Sequence, residues 1–233
     1  MADESEILLS KDVLLTSLKS DKIRRFWSDE IKDKSFFSAQ TTSKTYLEYV
    51  KNLLAEYKKG FQNLGNGNTI SLSQERVRML MREKLNDLGL VEKHANGDVV
   101  ERMTNLGSQM RLDLIVDTNK RLAHSESQKI TASSPAQKLF RPAFELVRGG
   151  QSKNPRNWWA RWTECAEKVN YEGVAPINSG RMIALVDSPI WSELGHHYPD
   201  CLGTDMPPFA FGSQMIWRTV PRKTCIEIGL LEK

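Results

Sequence analysis

"TASSPAQKLFRPAFELVR", Thr131 to Arg148, is the stretch where the texture of the chain changes. Its first half is small, polar and proline-bearing, which is a loop composition. Its second half, FRPAFELVR, is short and apolar and is bounded by Pro and Gly, which predicts a strand or extended segment. Upstream the apolar residues recur at helical spacing, and downstream they fall in short runs between prolines and glycines. The expected fold class is therefore α+β. A predominantly helical N-terminal two-thirds precedes a smaller C-terminal part made of short strands, one Trp-rich helix and a Pro/aromatic segment. The boundary falls near Ser133, giving regions 1–133 and 134–233, either separate or parts of one continuous domain.

The helical half carries its own punctuation. From Lys44 to Phe61, Tyr46, Leu47, Val50, Leu53, Leu54, Tyr57 and Phe61 recur at three and four residues with lysines and glutamate between them, so one stripe faces a partner. LGNGNT then breaks the pattern. Ser71 and Gln74 have capping-box spacing before a second helix, whose stripe is Val77, Leu80, Met81, Leu85 and Leu88 and whose end is Gly89. A third helix over NLGSQMRLDLIVDTNKRLAHSESQ places Met110, Leu114, Ile115 and Leu122 on an apolar side, opposite Asp113, Asp117 and Asn119. The N-terminal DVLLTSLKSDKIRRFWSDEIKDK also reads as helix, broken near Ser20.

In the C-terminal part, GRMIALVDSPIW is a second extended segment. The helix between the two strands is announced by Asn154 as cap and Pro155 at its first position. On it Trp158, Trp162, Cys165, Ala166 and Val169 form one buried face, with Trp159 beside that stripe. VPRKTCIEIGLL closes the chain as a helix, with Pro221 near its start and Gly229 near its end.

Composition bounds the function. The chain has 233 residues, 39% hydrophobic and 27% charged, enough for one large or two small globular cores. Its 33 Lys and Arg against 29 Asp and Glu give a net charge of +4, which permits contact with nucleic acid without requiring it. The acidic start MADESEILLSKDVLL is unlike a secretory signal, and no stretch approaches the ~20 apolar residues of a membrane helix, so synthesis in the cytosol and no membrane partner are expected. Three widely spaced cysteines, Cys165, Cys201 and Cys225, give neither a disulfide framework nor a zinc signature, and reduced structural thiols are expected.

Candidate chemistry is sparse. His196, His197, Asp200, Cys201 and Asp205 in GHHYPDCLGTD are zinc-type side chains at no recognisable zinc spacing, and the bland reading is an exposed loop with incidental polar residues. His124, Lys120 and Asp117 read as a solvated helix face rather than an acid and base pair. GNGN lacks the preceding strand of a phosphate loop, and no nucleophile elbow occurs. No catalytic residue, no cofactor, no metal and no small-molecule substrate are expected. For nucleic acid, KNPRNWWARW interleaves Lys153, Arg156 and Arg161 with tryptophans, the mixture that holds phosphate and stacks bases. Since helical phase sends Trp158 and Trp162 inward, the candidates are Lys153, Arg156, Trp159 and Arg161. A second candidate is the winged-helix-like outline of ISLSQERVRMLMREKLNDLGLVEKHANGDVV, with Arg76, Arg78 and Arg82 on its helix and no recognisable helix-turn-helix partner before it.

The order of segments also carries a resemblance. KSFFSAQTTSKTYLEYVKNLLAEYKKG, ISLSQERVRMLMREKL, LDLIVDTNKRLAHSESQ, FRPAFELVRGG, GRMIALVDSPIWSELG and YPDCLGTDMPPFAFGSQMIWRTVPRKTCIEIGL, together spanning roughly Lys34 to Leu231, resemble the phage Mu F-like head-morphogenesis (minor head protein) family. The most specific element is PPFAFGSQMIW followed by VPRKTCIEIGL. The resemblance implies a structural, non-enzymatic virion protein of the phage head. Such a protein is carried in a few copies in the procapsid, associates with portal and capsid proteins during assembly, and in some members travels with the genome at ejection. A weak contact with packaged double-stranded DNA would fit the same role. Many relatives place His, Asn and a Cys-Arg-Cys after the Pro-Pro-Phe; here Ala210 to Met215 stand there without a thiol or imidazole, so no metal or redox role carries over. The alternative class is a DNA-binding, winged-helix-like module. Within DMPPFAFGSQMIW, Phe209, Phe211 and Trp217 are expected to fill the C-terminal core.

Overall fold

A computed structural model describes residues 2–63, 69–151, 155–171 and 180–232. The chain is about 49% helical with a few short strands in small sheets, an α+β fold. It divides into two compact units, Asp3–Ala123 and His124–Lys233, the latter including the first two residues.

The first unit is built on helices. α1 (Glu4–Ser10) is capped by Asp3, whose side chain accepts from the Ser5 amide. β1 (Asp12–Val13) pairs in parallel with β2 (Ser35–Phe36), and two short helices, α2 (Ser20–Phe26) and α3 (Asp29–Lys34), are inserted between them. The N-terminal helix expected from the sequence, broken near Ser20, is thus two short helices and a strand, because Asp12 and Val13 pair with the distant strand Ser35–Phe36 instead of with the next turn of a helix.

α4 (Lys44–Lys59) carries the expected stripe: Tyr46, Leu47, Val50, Leu53 and Leu54 are all buried. It stops two residues earlier than expected, at Gly60, whose φ of 85° is the left-handed cap that glycine adopts without a Cβ penalty. Phe61 therefore opens a strand, β3 (Phe61–Asn63), paired antiparallel with β4 (Thr69–Ser71). The glycine and asparagine run between them, 64–68, lies outside the described residues.

α5 (Gln74–Asp87) is capped by Ser73, whose hydroxyl accepts from the Arg76 amide, and not by Ser71 as the spacing suggested. Ser71 is held extended by its pairing with Phe61. Val77, Leu80, Met81 and Leu85 are buried as expected. On α6 (Gln109–Ala132) the buried seam is Leu112, Ile115, Val116 and Ala123, while Met110 is 50% exposed and Leu114 and Leu122 are half-buried. Of the four apolar residues expected on that seam, only Ile115 lies on it. These seams, with Leu8 and Phe36, form one continuous apolar core. Burial of such Leu, Val and Met side chains contributes about 1.5–3 kcal/mol each before chain entropy is subtracted.

The second unit is a three-stranded antiparallel sheet between two apolar layers. β5 (Ala143–Arg148) is central, flanked by β6 (Ile183–Leu185) and β7 (Met215–Val220), in the order β6-β5-β7. Its first four residues are all buried, as a central strand covered on both faces requires. The odd-numbered face meets the C-terminus: Ala143, Ile183, Val220 and Cys225 cluster beneath α10 (Arg222–Glu227) and Leu230 and Leu231. The even-numbered face carries Phe144, which stacks on Trp217 at 4.4 Å between ring centroids and an interplanar angle of 4°. The register explains that stack. Phe144 lies opposite Thr219 and Leu146 opposite Trp217, so the two rings are diagonal neighbours on one face.

Over that face pack α8 (Trp158–Lys168) and α9 (Ile190–His196), whose Trp158, Trp162 and Trp191 complete an aromatic cluster with Phe209 and Tyr171. α8 begins three residues later than expected, with Asn157 as the cap accepting from the Ala160 amide. The expected cap, Asn154, is outside the described residues. α7 (Pro135–Phe140), capped by Ser134, replaces part of the loop expected between the two textures. β7 was not foreseen as a strand; it is set by its pairing with β5, far away in the sequence.

Candidate functional site

The residues singled out from the sequence converge on one region of the second unit, the outer side of α8 and the chain from His196 to Ser213. Arg156 donates from Nε to Asp200 Oδ2 at 2.5 Å and from Nη2 to the Phe211 carbonyl at 2.9 Å. Arg161 donates to the same Asp200 at 3.1 Å, and its guanidinium lies 5.3 Å from the Trp158 ring centroid and 4.2 Å from that of Tyr198. One carboxylate thus joins the start of α8, α8 itself and the buried turn beyond α9. Burial alone would raise the Asp200 pKa, but the hydrogen bonds from Arg156 and Arg161 outweigh it and hold the carboxyl below its ordinary value. Both arginines are therefore engaged inside the protein. Trp159 is 37% exposed, and Lys153, the fourth nucleic-acid candidate, lies outside the described residues.

The histidine pair divides. His196 turns its Nδ1 to the Ser192 carbonyl of its own helix, at 2.7 Å. His197 sits between α8 and α9, with Nε2 at 2.8 Å from Glu164 Oε1 and Nδ1 at 3.1 Å from Glu193 Oε1 and 2.7 Å from Lys168 Nζ. Tyr198 donates its hydroxyl to Glu164, and the hydrogen bonds from Tyr198 and His197 hold the Glu164 carboxyl below its ordinary value. Among the described residues, no three His, Cys, Asp or Glu side chains gather to hold a metal ion.

The loop reading of GHHYPDCLGTD holds for its first half, where His196 and Pro199 are exposed and His197, Tyr198 and Asp200 half-buried, and needs correction for the second. Cys201, Leu202, Gly203 and Thr204 are buried, as are Met206 to Ala210. The packing is made by backbone contacts: Gly203 N donates to Gly195 O at 2.9 Å, and Leu202 N to Phe209 O at 2.7 Å. Asp205, the half-buried exception, pairs with Lys129. Phe209 is wholly buried at a left-handed φ of 59°, and Trp217 is 3% exposed, whereas Phe211 is only half-buried. A non-glycine residue at such a φ costs of order 1–3 kcal/mol and persists where its surroundings over-determine it, here by the rings of Trp158, Trp191 and Trp217 and by backbone hydrogen bonds to Leu202 and Met206.

The other candidates lie in the helices. Asp117 accepts from Gln74 Nε2 at 3.0 Å and Lys120 reaches the Tyr57 hydroxyl at 3.5 Å, while His124 is half-buried further along α6. After α5, in the stretch where the sequence suggested a hairpin, Lys93 and Val99 form a single antiparallel bridge around the turn at Gly97. The α5 arginines are turned to their own unit: Arg78 to Asp113 at 2.5 Å, Arg82 to the Gly107 carbonyl at 2.9 Å and Glu101 at 3.6 Å, and Arg76 to Met79 Sδ.

One charged cluster had no sequence signal. Glu145, 6% exposed on the central strand, accepts from Arg181 at 2.9–3.0 Å and from its cross-strand partner Arg218. The Arg181 hydrogen bond and that of Arg218 hold its carboxyl below the ordinary value against the opposing effect of burial. Only strand register could have found it, because the partners are 36 and 73 residues away.

No protein-family model, curated protein or solved structure matches the chain.

Proposed function

We propose that this chain is a structural protein of a phage head, a minor head or head-morphogenesis protein that associates with portal or capsid proteins during assembly. The observation that carries the reading concerns the segment on which the resemblance is most specific. Asp205 to Trp217, with the closing helix after it, forms much of the apolar interior of the second unit. Phe209 stacks on Trp191 with a 7° interplanar angle, Trp217 stacks on Phe144, and Cys225 of α10 covers the opposite face of the sheet.

The charged groups around it are spent on scaffold. Asp200 holds Arg156 and Arg161, Glu145 holds Arg181 and Arg218, and His197 is set between Glu164 and Glu193. Such an arrangement fixes surfaces for contact with other proteins, where aromatic and Arg residues contribute most to binding.

Co-sedimentation tests the reading directly. The purified chain is expected to pellet with procapsids or portal rings and to be found in assembled particles. Its absence from both would overturn the proposal.

A further inference from the structure

Arg156 and Arg161, two of the cations expected to contact nucleic acid, are both held by Asp200, but another basic and aromatic face is not held in this way. α2 buries only Ile23. Its exit is anchored by Trp27, which packs edge-on against Phe37 at 4.9 Å between centroids. Next to that anchor Phe26 points outward and is 65% exposed, with Phe140 one of the two most exposed large apolar side chains among the described residues. Lys22 Nζ and Arg25 Cζ lie 5.8 and 5.6 Å from its ring centroid. At 100° per residue, Lys22, Arg25 and Phe26 occupy one contiguous face of the helix, and Lys19 at the N-cap adds a further exposed cation.

These charges are left over. Of the acids of the next helix, Asp29 pairs with Lys32 at 2.6 Å and Glu30 with Lys34 at 2.7 Å, and Asp33 is engaged as well. Among the described residues, Lys19, Lys22 and Arg25 make no ion pair with a carboxylate. Asp21 is the one acid on α2 itself, so the face keeps a positive balance around an exposed ring.

We propose that the Lys19, Lys22, Arg25 and Phe26 face of α2 binds single-stranded nucleic acid, with phosphates on the three cations and one unpaired base on the Phe26 ring. Cations that track a phosphate backbone beside an aromatic platform are the recurring means of holding single strands without sequence preference. The ring selects the single strand over the duplex, because a paired base offers no free face to it. The size of the face favours a polyanion over a protein partner. A seven-residue helix is about 10 Å long, whereas stable protein interfaces bury about 800 Å² a side. The proposal is independent of the head-protein reading and concerns the other unit of the chain.

The test is fluorescence anisotropy of the intact protein with a labelled thymidine oligomer of about 15 nucleotides, within the site sizes of single-strand binders. Affinity is expected to fall with salt at a log–log slope of about −2, the value for three cations on a single strand. Phe26→Ala is expected to weaken binding about tenfold, Phe26→Trp to retain it, and the double variant Lys22→Glu/Arg25→Glu to abolish it. All three positions are exposed, so these variants should keep the parent's urea midpoint, which is measured alongside. Binding that is undetectable at low salt overturns the proposal, as does binding indifferent to all these variants. A duplex of equal length that binds as tightly without dependence on Phe26 also overturns it. So does a polyglutamate peptide that displaces the oligomer equally well, which would mark a surface for an acidic protein instead.

Discussion

Gly195 and Thr204 meet backbone to backbone: a β-carbon built on Gly195 would stand 1.6 Å from the Thr204 carbonyl oxygen. The contact closes the buried turn after α9 onto the end of that helix, where Gly203 donates its amide to the Gly195 carbonyl. Neither partner is a flexible side chain that could move aside. Gly195→Ala is therefore expected to lower stability by at least about 3 kcal/mol, the upper range for overpacking. Gly60→Ala makes the contrast, since at a φ of 85° with nothing within 4 Å it faces only the left-handed penalty of about 1–2 kcal/mol. Urea unfolding midpoints of the two variants check the order, and near-equal midpoints would contradict it.

Two buried tryptophans differ in one hydrogen bond. Trp191 donates its Nε1 to the Leu185 carbonyl at 2.8 Å, whereas the buried Nε1 of Trp162 has no partner among the described residues. Both Trp→Phe changes lose volume. Only Trp191→Phe also loses a satisfied hydrogen bond, and Trp162→Phe removes an unsatisfied buried donor. Trp191→Phe is expected to be more destabilising by about 1 kcal/mol, as read from parallel denaturant titrations.

Acid stability should depend on Glu145 and Asp200. Both carboxyls are held below their ordinary values of 4.5 and 3.8 in the folded protein. A depressed folded value means stability that is present above the unfolded value and is lost as pH falls through the folded one. Unfolding free energy should thus decline below about pH 4.5. Glu145→Gln should flatten that decline and cost about 2 kcal/mol at neutral pH, the middle of the range for hydrogen bonds to charged groups. Arg181 and Arg218, already partly exposed in the pairing, can recruit water. Thermal melts across pH 3 to 7 or so, the range around the ordinary carboxyl values, give the comparison, and parallel curves for variant and parent would refute it.

The three thiols should be inert in the native state. Cys165, Cys201 and Cys225 are free and buried. Burial pushes Cys165 up to about 12 and raises the other two thiols as well. Since the thiolate is the reactive form, a chromogenic disulfide reagent is expected to modify none of them in native buffer and all three in denaturant. Rapid native labelling of any one would show that its cover opens.

Sequence periodicity by itself determined the fold class and the buried faces of α4, α5 and α8, though not that of α6, where only Ile115 of the four expected residues is buried. Tyr46, Leu47, Val50, Leu53 and Leu54, and Trp158 with Trp162, are buried because residues three and four apart share a helix face whatever lies opposite. Local signals were weaker at the ends of elements. Ser73 replaced Ser71 as a cap, and Phe61 joined a strand, because β3–β4 pairing overrode the helical pattern. Tertiary structure alone decided the candidate site. Whether Arg156 and Arg161 face solvent or a carboxylate depends on Asp200, 44 and 39 residues away. No spacing along a chain encodes that contact, since it forms only when the turn after α9 folds back onto α8. The same holds for the second half of GHHYPDCLGTD, whose polar letters suggested an exposed loop. Its burial is set by the close approach of Gly195 to Thr204, a contact available only to a residue without a β-carbon.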